Sequence, residues 1–204
     1  VLRGQAELIS TVIIVSIAVT LALGLVYYLT PLVAQARLQQ QVYAQLAGIA
    51  SGLTTSLSAY ENDSGTLEAV ISVTNNGFQN VRLYYGVLGF DDQGVPRSLP
   101  VYSIYNMTGS VATLPVGGSG WSPLPGFNVT TDYVYVYVKD GYYQLWSLGL
   151  RGNYTLYDGG IVKPGDSRVI GFEVTGAPPG YRYAAVIYAE VSGYFYSVAV
   201  IPFG

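Results

Sequence analysis

Four asparagines in this 204-residue chain stand in the pattern Asn-x-Ser/Thr with no proline between: Asn62-Asp63-Ser64, Asn106-Met107-Thr108, Asn128-Val129-Thr130 and Asn153-Tyr154-Thr155. The chemistry such a triplet offers is attachment of a glycan to the asparagine amide. A lone triplet arises easily by chance. Here all four follow residue 60 and none precedes it. Asn62, Asn106, Asn128 and Asn153 are therefore the candidate glycosylation sites, expected on solvent-facing loops or strand edges of an exported surface. N-linked glycans are expected, and no metal or other cofactor.

Little else in the chain points to chemistry. The sequence has no His and no Cys, which removes the imidazole base, the Ser-His-Asp triad, His or thiolate metal sites and any disulfide framework. Asp91-Asp92 and Asp132/Asp140 fall in turn-like contexts, and a glycosidase pair needs a set spatial separation that sequence does not supply. No calcium-loop, phosphate-loop or dinucleotide pattern occurs, so no enzyme is expected. The balance of 9 Lys+Arg against 12 Asp+Glu gives a net charge of −3, with no basic field for nucleic acid.

The elements that carry these asparagines begin with a long helix. Leu8 to Leu29 is an uncharged run of 22 residues, LISTVIIVSIAVTLALGLVYYL. At helical rise it spans roughly 33 Å, enough to cross a bilayer core. Beyond Pro31 the helical pattern continues, and Val42, Leu46, Ile49, Leu53 and Leu57 are spaced as one apolar face. The expectation is one rod to about residue 58, on the order of 85 Å long, apolar all round at first and one-sided later. It should end before the polar cluster Glu61-Asn62-Asp63-Ser64-Gly65, dividing the chain into a helix over 1–60 and a domain over 61–204. Arg3 and Glu7 stand four apart ahead of the run and can share a helical face. An unpaired Glu7 carboxylate would be costly to bury at the mouth of an apolar segment. Pro31 lacks an amide hydrogen and crowds the Tyr27 carbonyl, predicting a bend or a loosened turn. A secretory signal fits this N-terminus poorly, because its apolar core would be about 7–15 residues and a small-residue cleavage site would follow. A chain opening on Val1 rather than Met is expected to have lost residues from its front.

From Thr66 the apolar period falls to two. Leu67–Val73, Val81–Tyr85, Tyr133–Val138, Tyr142–Trp146, Arg168–Val174, Tyr181–Val191 and Tyr194–Ile201 read as strands. Asn76-Gly77 is a turn signal, Asp140-Gly141 is the expected type I′ hairpin turn, and Ser192-Gly193 joins the last two strands. Residues 86–128 hold Gly, Pro and Ser clusters and are expected to be loop-rich. Many short strands with no second helix predict an α+β chain in which a β-sandwich follows the helix. Most of the 20 tyrosines lie on these strands. Ordinary sheet patterning accounts for them, with a sugar-stacking or partner-binding face as the alternative.

This combination resembles the type IV pilin superfamily, and archaeal type IV pilins in particular. The resemblance rests on Arg3-Gly4 followed by Glu7, the apolar run Leu8 to Leu29, its amphipathic continuation, and one β domain bearing the four triplets. It implies an immunoglobulin-like antiparallel sandwich forming the outer layer of a filament whose core is the packed helices. It also implies a prepilin peptidase and pilus assembly machinery as partners, residence in the membrane before assembly, and a function in adhesion or surface attachment. The family's acidic residue near the mature N-terminus corresponds to Glu7, seventh from Val1 or third if cleavage follows Gly4. The assembly residues so implied are Arg3, Glu7, Leu8, Ile13, Ile14, Ile17, Leu21, Leu25 and Pro31, and the partners are further copies of the chain. Archaellins share the layout and are the nearest alternative. A membrane-anchored β-sandwich binding module is the rival from another class.

Overall fold

Leu2–Gly52 form one helix, α1, followed among the described residues by strands only, apart from two short 3-10 turns. The computed structural model describes residues 2–63, 65–108, 114–139, 141–176 and 180–203; the side chains of residues 2–10 and 62–63 lie outside the described set. Two compact units result, Val1–Ala44 and Gln45–Gly204. In the first, α1 carries Pro31 inside it without interruption. Ser16, Thr20 and Thr30 turn their hydroxyls back to donate to the carbonyls four residues earlier, Val12, Ser16 and Val26, at 2.7–2.8 Å. These polar groups are thus satisfied within the helix.

The helix stops earlier than its apolar spacing predicts. Gly52 ends it and Leu53–Asp63 form strand β1, paired antiparallel with β2 (Thr66–Asn75) from Leu53↔Asn75 to Asp63↔Thr66. Leu53, Thr55 and Leu57 fit a period of two as well as Leu53 and Leu57 fit a helical step. Gly52 and the β-branched Thr54-Thr55 tip the balance. A register shift between Leu57 and Ala59 accommodates Ser58, whose hydroxyl lies 2.8 Å from that of Ser72. The division near residue 60 therefore falls inside a strand. The last turns of α1 belong with the second unit, where Leu46 is 1% exposed and Ile49 packs against the core.

The remaining strands are β3 (Val81–Phe90), β4 (Pro96–Ser98), β5 (Val101–Met107), β6 (Trp121–Pro123), β7 (Gly126–Thr130), β8 (Val134–Val138), β9 (Gly141–Gln144), β10 (Asn153–Val162), β11 (Ser167–Thr175), β12 (Arg182–Val191) and β13 (Tyr194–Phe203). They make two sheets, β1-β2-β11-β5-β6 and β7-β10-β3-β12-β13-β8-β9, with β4 pairing the end of β3. The chain is thus an α+β protein, one N-terminal helix followed by a two-sheet β-sandwich. Pairing is antiparallel except for β8 and β13, which run parallel through Phe195↔Val134 and Tyr196↔Tyr135. Asn76-Gly77 marks a passage between sheets rather than a hairpin. Buried Asn75 holds it, with Oδ1 accepting from the Gly77 N–H and Nδ2 donating to the Gln79 and Val162 carbonyls at 2.9–3.0 Å. In the β8–β9 hairpin Val138 pairs with Gly141, so the turn starts one position earlier than expected, at Lys139 with φ 55°; Asp140 lies outside the described residues. Ser192 (φ 55°) and Gly193 (φ 81°) make the expected tight turn between β12 and β13.

The second sheet coils. Phe127 on β7 and Phe195 on β13 lie four strand spacings apart in sheet order, roughly 19 Å if the sheet were flat. Their ring centroids are 5.8 Å apart, and both rings pack on Tyr84, at 5.8 and 5.0 Å. The three residues Thr131–Tyr133 carry the chain from β7 straight into β8, drawing the far strands together. One face of this sheet meets the first sheet through Tyr85 against Phe172, at 6.2 Å, and the other buries Tyr84 and Phe195 with Phe127 packed at their rim. Nearly all of β3 and β12 is buried as a result.

Candidate functional site: the apolar helix and the glycosylation face

The described candidate assembly residues, spaced mostly by steps of three and four, share one side of α1. Ile13, Ile14, Ile17, Leu21 and Leu25 are each more than half exposed, and Leu21 reaches 68%. Leu23, Val26, Tyr27 and Tyr28 are exposed between them, so the helix has no polar face over this stretch. Pro31 is also exposed. Arg3, Glu7 and Leu8 lie within α1, but their side chains are outside the described residues. From Thr11 onward the helix is long and apolar enough to cross a membrane.

The candidate glycosylation triplets fall into three situations. Asn62 is near the end of edge strand β1, its side chain outside the described residues. Asn106 is half-buried on β5, flanked by β11 and β6 and directly opposite fully buried Ile170. That is an interior strand, not the loop or edge expected of an acceptor. Asn128 and Asn153 are exposed and belong to one arrangement. Strands β7 and β10 pair so that Asn128 faces Thr155 and Thr130 faces Asn153. Each asparagine thus stands across from the other triplet's hydroxyl residue, and the Thr155 hydroxyl donates to Asn128 Oδ1 at 3.0 Å. Because side chains alternate along a strand, these four share one face, while Tyr154 and Leu156 are buried on the other. With its oxygen engaged by Thr155, the Asn128 amide nitrogen is left for attachment.

The carboxylates of Asp91 and Asp158 are engaged in structural contacts. Asp91 Oδ1 accepts the N–H groups of Gln93 and Val95 at 3.0 and 2.8 Å, and Oδ2 accepts from Arg97. These bonds, the one from Val95 foremost, hold the Asp91 carboxyl below the usual range. Asp158 is held down chiefly by its hydrogen bond from Arg82. Asp132 offers only its main-chain carbonyl, to Gln144, and Asp140 lies outside the described residues. The described residues include no group of three or more His, Cys, Asp or Glu placed to hold a metal. An open cleft of about 510 Å³ is lined by Gln79, Arg82, Glu190 and Ser192 among others; Glu190 accepts a hydrogen bond from Tyr84 there.

One feature carries more order than strand propensity predicts. Tyr133, Tyr194, Tyr135, Tyr196, Tyr142 and Tyr137 form a continuous ladder over β8, β9 and β13. Successive ring centroids are 5.6, 5.7, 4.7, 5.6 and 5.4 Å apart. Tyr135 and Tyr196, paired across the parallel strands, stack at 17°. Val134 and Val136 are fully buried on the opposite face, so the ladder faces outward. Its two ends, Tyr133 and Tyr137, are 47% and 51% exposed. The alternation of Tyr and Val was visible in the sequence, but the parallel partnership that aligns residues 133–137 with 194–196 was not.

No family model and no curated protein matches the chain. Among solved structures, it is similar to a FixG-related protein from Vibrio parahaemolyticus, at 8% identity and TM-score 0.32 over 74% of this chain and 93% of that one. It is also similar to biomass-sensing modules from putative Rsgi-like proteins of Clostridium thermocellum, at 14% identity and TM-score 0.33 over 71% and 95%. A third is a GH20 exo β-N-acetylglucosaminidase from Vibrio harveyi, at 12% identity and TM-score 0.30 over 73% of this chain and 17% of that one. Likeness this slight identifies neither family nor ligand.

Proposed function

We propose that the chain is the structural subunit of an extracellular filament of the type IV pilus kind, built for adhesion or surface attachment. The observation that carries this reading is the helix over residues 11–29, apolar and exposed on every side, in a chain whose sandwich completes its own core. Such a helix needs cover all round. Copies of itself packed along an axis supply it in the filament, and lipid supplies it before assembly. The sandwich then forms the outer layer, carrying glycans, and the chain has a structural rather than a catalytic role. Resemblance of residues 3–29 to the archaeal pilin N-terminus supports the same reading and implies processing by a prepilin peptidase.

The test is microscopy and mass spectrometry of filaments sheared from the cell surface. Peptides of this chain should dominate filament preparations, with added glycan mass at Asn128 and Asn153. Recovery of the chain solely as membrane-bound monomer would refute the reading in favour of an anchored binding module. A narrower expectation concerns Glu7, the acidic residue immediately before a 22-residue uncharged run. Glu7→Ala should lower filament yield while leaving the melting temperature of the sandwich unchanged. Normal yield would remove the assembly role from this carboxylate.

A further inference from the structure

The paired triplets and the tyrosine ladder meet. Thr130, opposite Asn153, is followed by the turn Thr131–Tyr133, and Tyr133 is the first ring of the ladder. The Thr131 N–H donates to the Gly152 carbonyl at 3.0 Å, fixing the start of that turn against the residue before Asn153. Three residues of chain span at most roughly 11 Å, so Tyr133 lies within a few sugar lengths of either asparagine. Both features look away from the interior of the coiled sheet: Tyr154 and Leu156 are buried beneath the triplets, and Val134 and Val136 beneath the ladder.

We propose that the glycans on Asn128 and Asn153 fold back along this ladder and are bound by it, Tyr133 and Tyr194 being met first. The inference rests on the glycosylation reading above and adds a receptor on the same chain. Its chemistry suits a sugar. A pyranose presents C–H groups on one face and hydroxyls around its rim, and a row of phenols offers aromatic surface with an O–H at each tip. The row between Tyr133 and Tyr137 contains no charged residue along β8. Tyr133 stacks on Tyr194 at one end of the row and keeps 47% exposure. The tether decides the occupant: a ligand held within reach by a short flexible link has an effective concentration on the order of mM, so the attached glycan outcompetes free sugar of the same affinity.

Nitration of tyrosines, read peptide by peptide, tests this on the native glycosylated protein and on an Asn128→Gln/Asn153→Gln variant. Exposed Tyr181 serves as the reference. Tyr133 and Tyr194 should be nitrated several-fold more slowly in the native protein than in the variant, with Tyr181 unchanged. Equal rates, with glycan mass confirmed at either asparagine, would overturn the inference and leave glycosylation standing. Absence of glycan mass at both would overturn the glycosylation reading and the inference together. Should the asparagine variant misfold, Thr130→Val/Thr155→Val removes the acceptor pattern while keeping both amides, and it must give the same loss of protection.

Discussion

A chain shortened to begin at Gln45 is expected to be a soluble, folded monomer that no longer enters filaments. The cut follows the boundary between the two compact units. It leaves Leu46 buried, with Ile49 and Leu53 packed on the sandwich core, so it uncovers little apolar surface. It removes Ile13, Ile14, Ile17, Leu21 and Leu25, all more than half exposed in the isolated chain. Burial of one such side chain gains roughly 1.5–3 kcal/mol against water, so five together supply on the order of 10 kcal/mol. Micromolar association requires about 8 kcal/mol, so loss of this segment alone moves assembly from favourable to negligible. Against lipid most of that gain disappears, and close packing must favour the bundle instead. Light scattering and a thermal melt read the outcome. Native-like polymers from the shortened chain would show that the helix is not the assembly element.

The parts of the fold legible in the sequence are those set by local chemistry. Ser192-Gly193 and the alternation on either side of it specify the last hairpin without tertiary help. The first 52 residues read as helix because nothing in them breaks the pattern except Pro31, and Thr30 in the turn before it satisfies its own hydroxyl. Leu53 and Leu57 were ambiguous for a physical reason: positions four apart share a face in a helix and in a strand alike. Strand β10 was hidden because Gly159-Gly160 interrupts it at the point where its register with β3 shifts between Asp158 and Ile161. Residues 86–128 read as loop-rich, yet β4 to β6, the start of β7 and the end of β3 lie there, divided between the two sheets and separated by Gly- and Pro-containing turns. The glycosylation triplets were visible one by one. That two of them face each other is a matter of register between β7 and β10, which no local pattern encodes.

Raising the pH above 10 is expected to unfold the sandwich cooperatively, with a midpoint at about pH 11–13. Tyr85, Tyr154 and Tyr188 are fully or almost fully buried, and Tyr102 nearly so. Three of them cluster, with ring centroids of Tyr154 lying 6.3 Å from Tyr102 and 6.0 Å from Tyr188. Their hydroxyls are used inside: Tyr102 donates to the Thr155 carbonyl, Tyr154 to the Val87 carbonyl and Tyr188 to Tyr154. Burial is the leading cause that pushes all four phenols far above their usual value of 10, because the phenolate would lose its water. A folded-state pKa raised in this way gives stability that is whole below pH 10 and lost as pH rises, since the unfolded chain releases the proton first. Each such group then costs about 1.4 kcal/mol per pH unit, so four together cost about 5–6 kcal/mol per unit. A domain stability of about 5–15 kcal/mol is exhausted within one to three units above pH 10. Tyr85 gives the control, because its hydroxyl is buried without a hydrogen-bond partner. Tyr85→Phe removes one titrating group and one unsatisfied donor, so it should raise neutral stability by about 1–3 kcal/mol and shift the alkaline midpoint upward. Tyrosinate absorbance and circular dichroism, followed together through the titration, should change in a single step. A gradual rise in absorbance with the fold intact to about pH 13 would show that these phenols ionise in place.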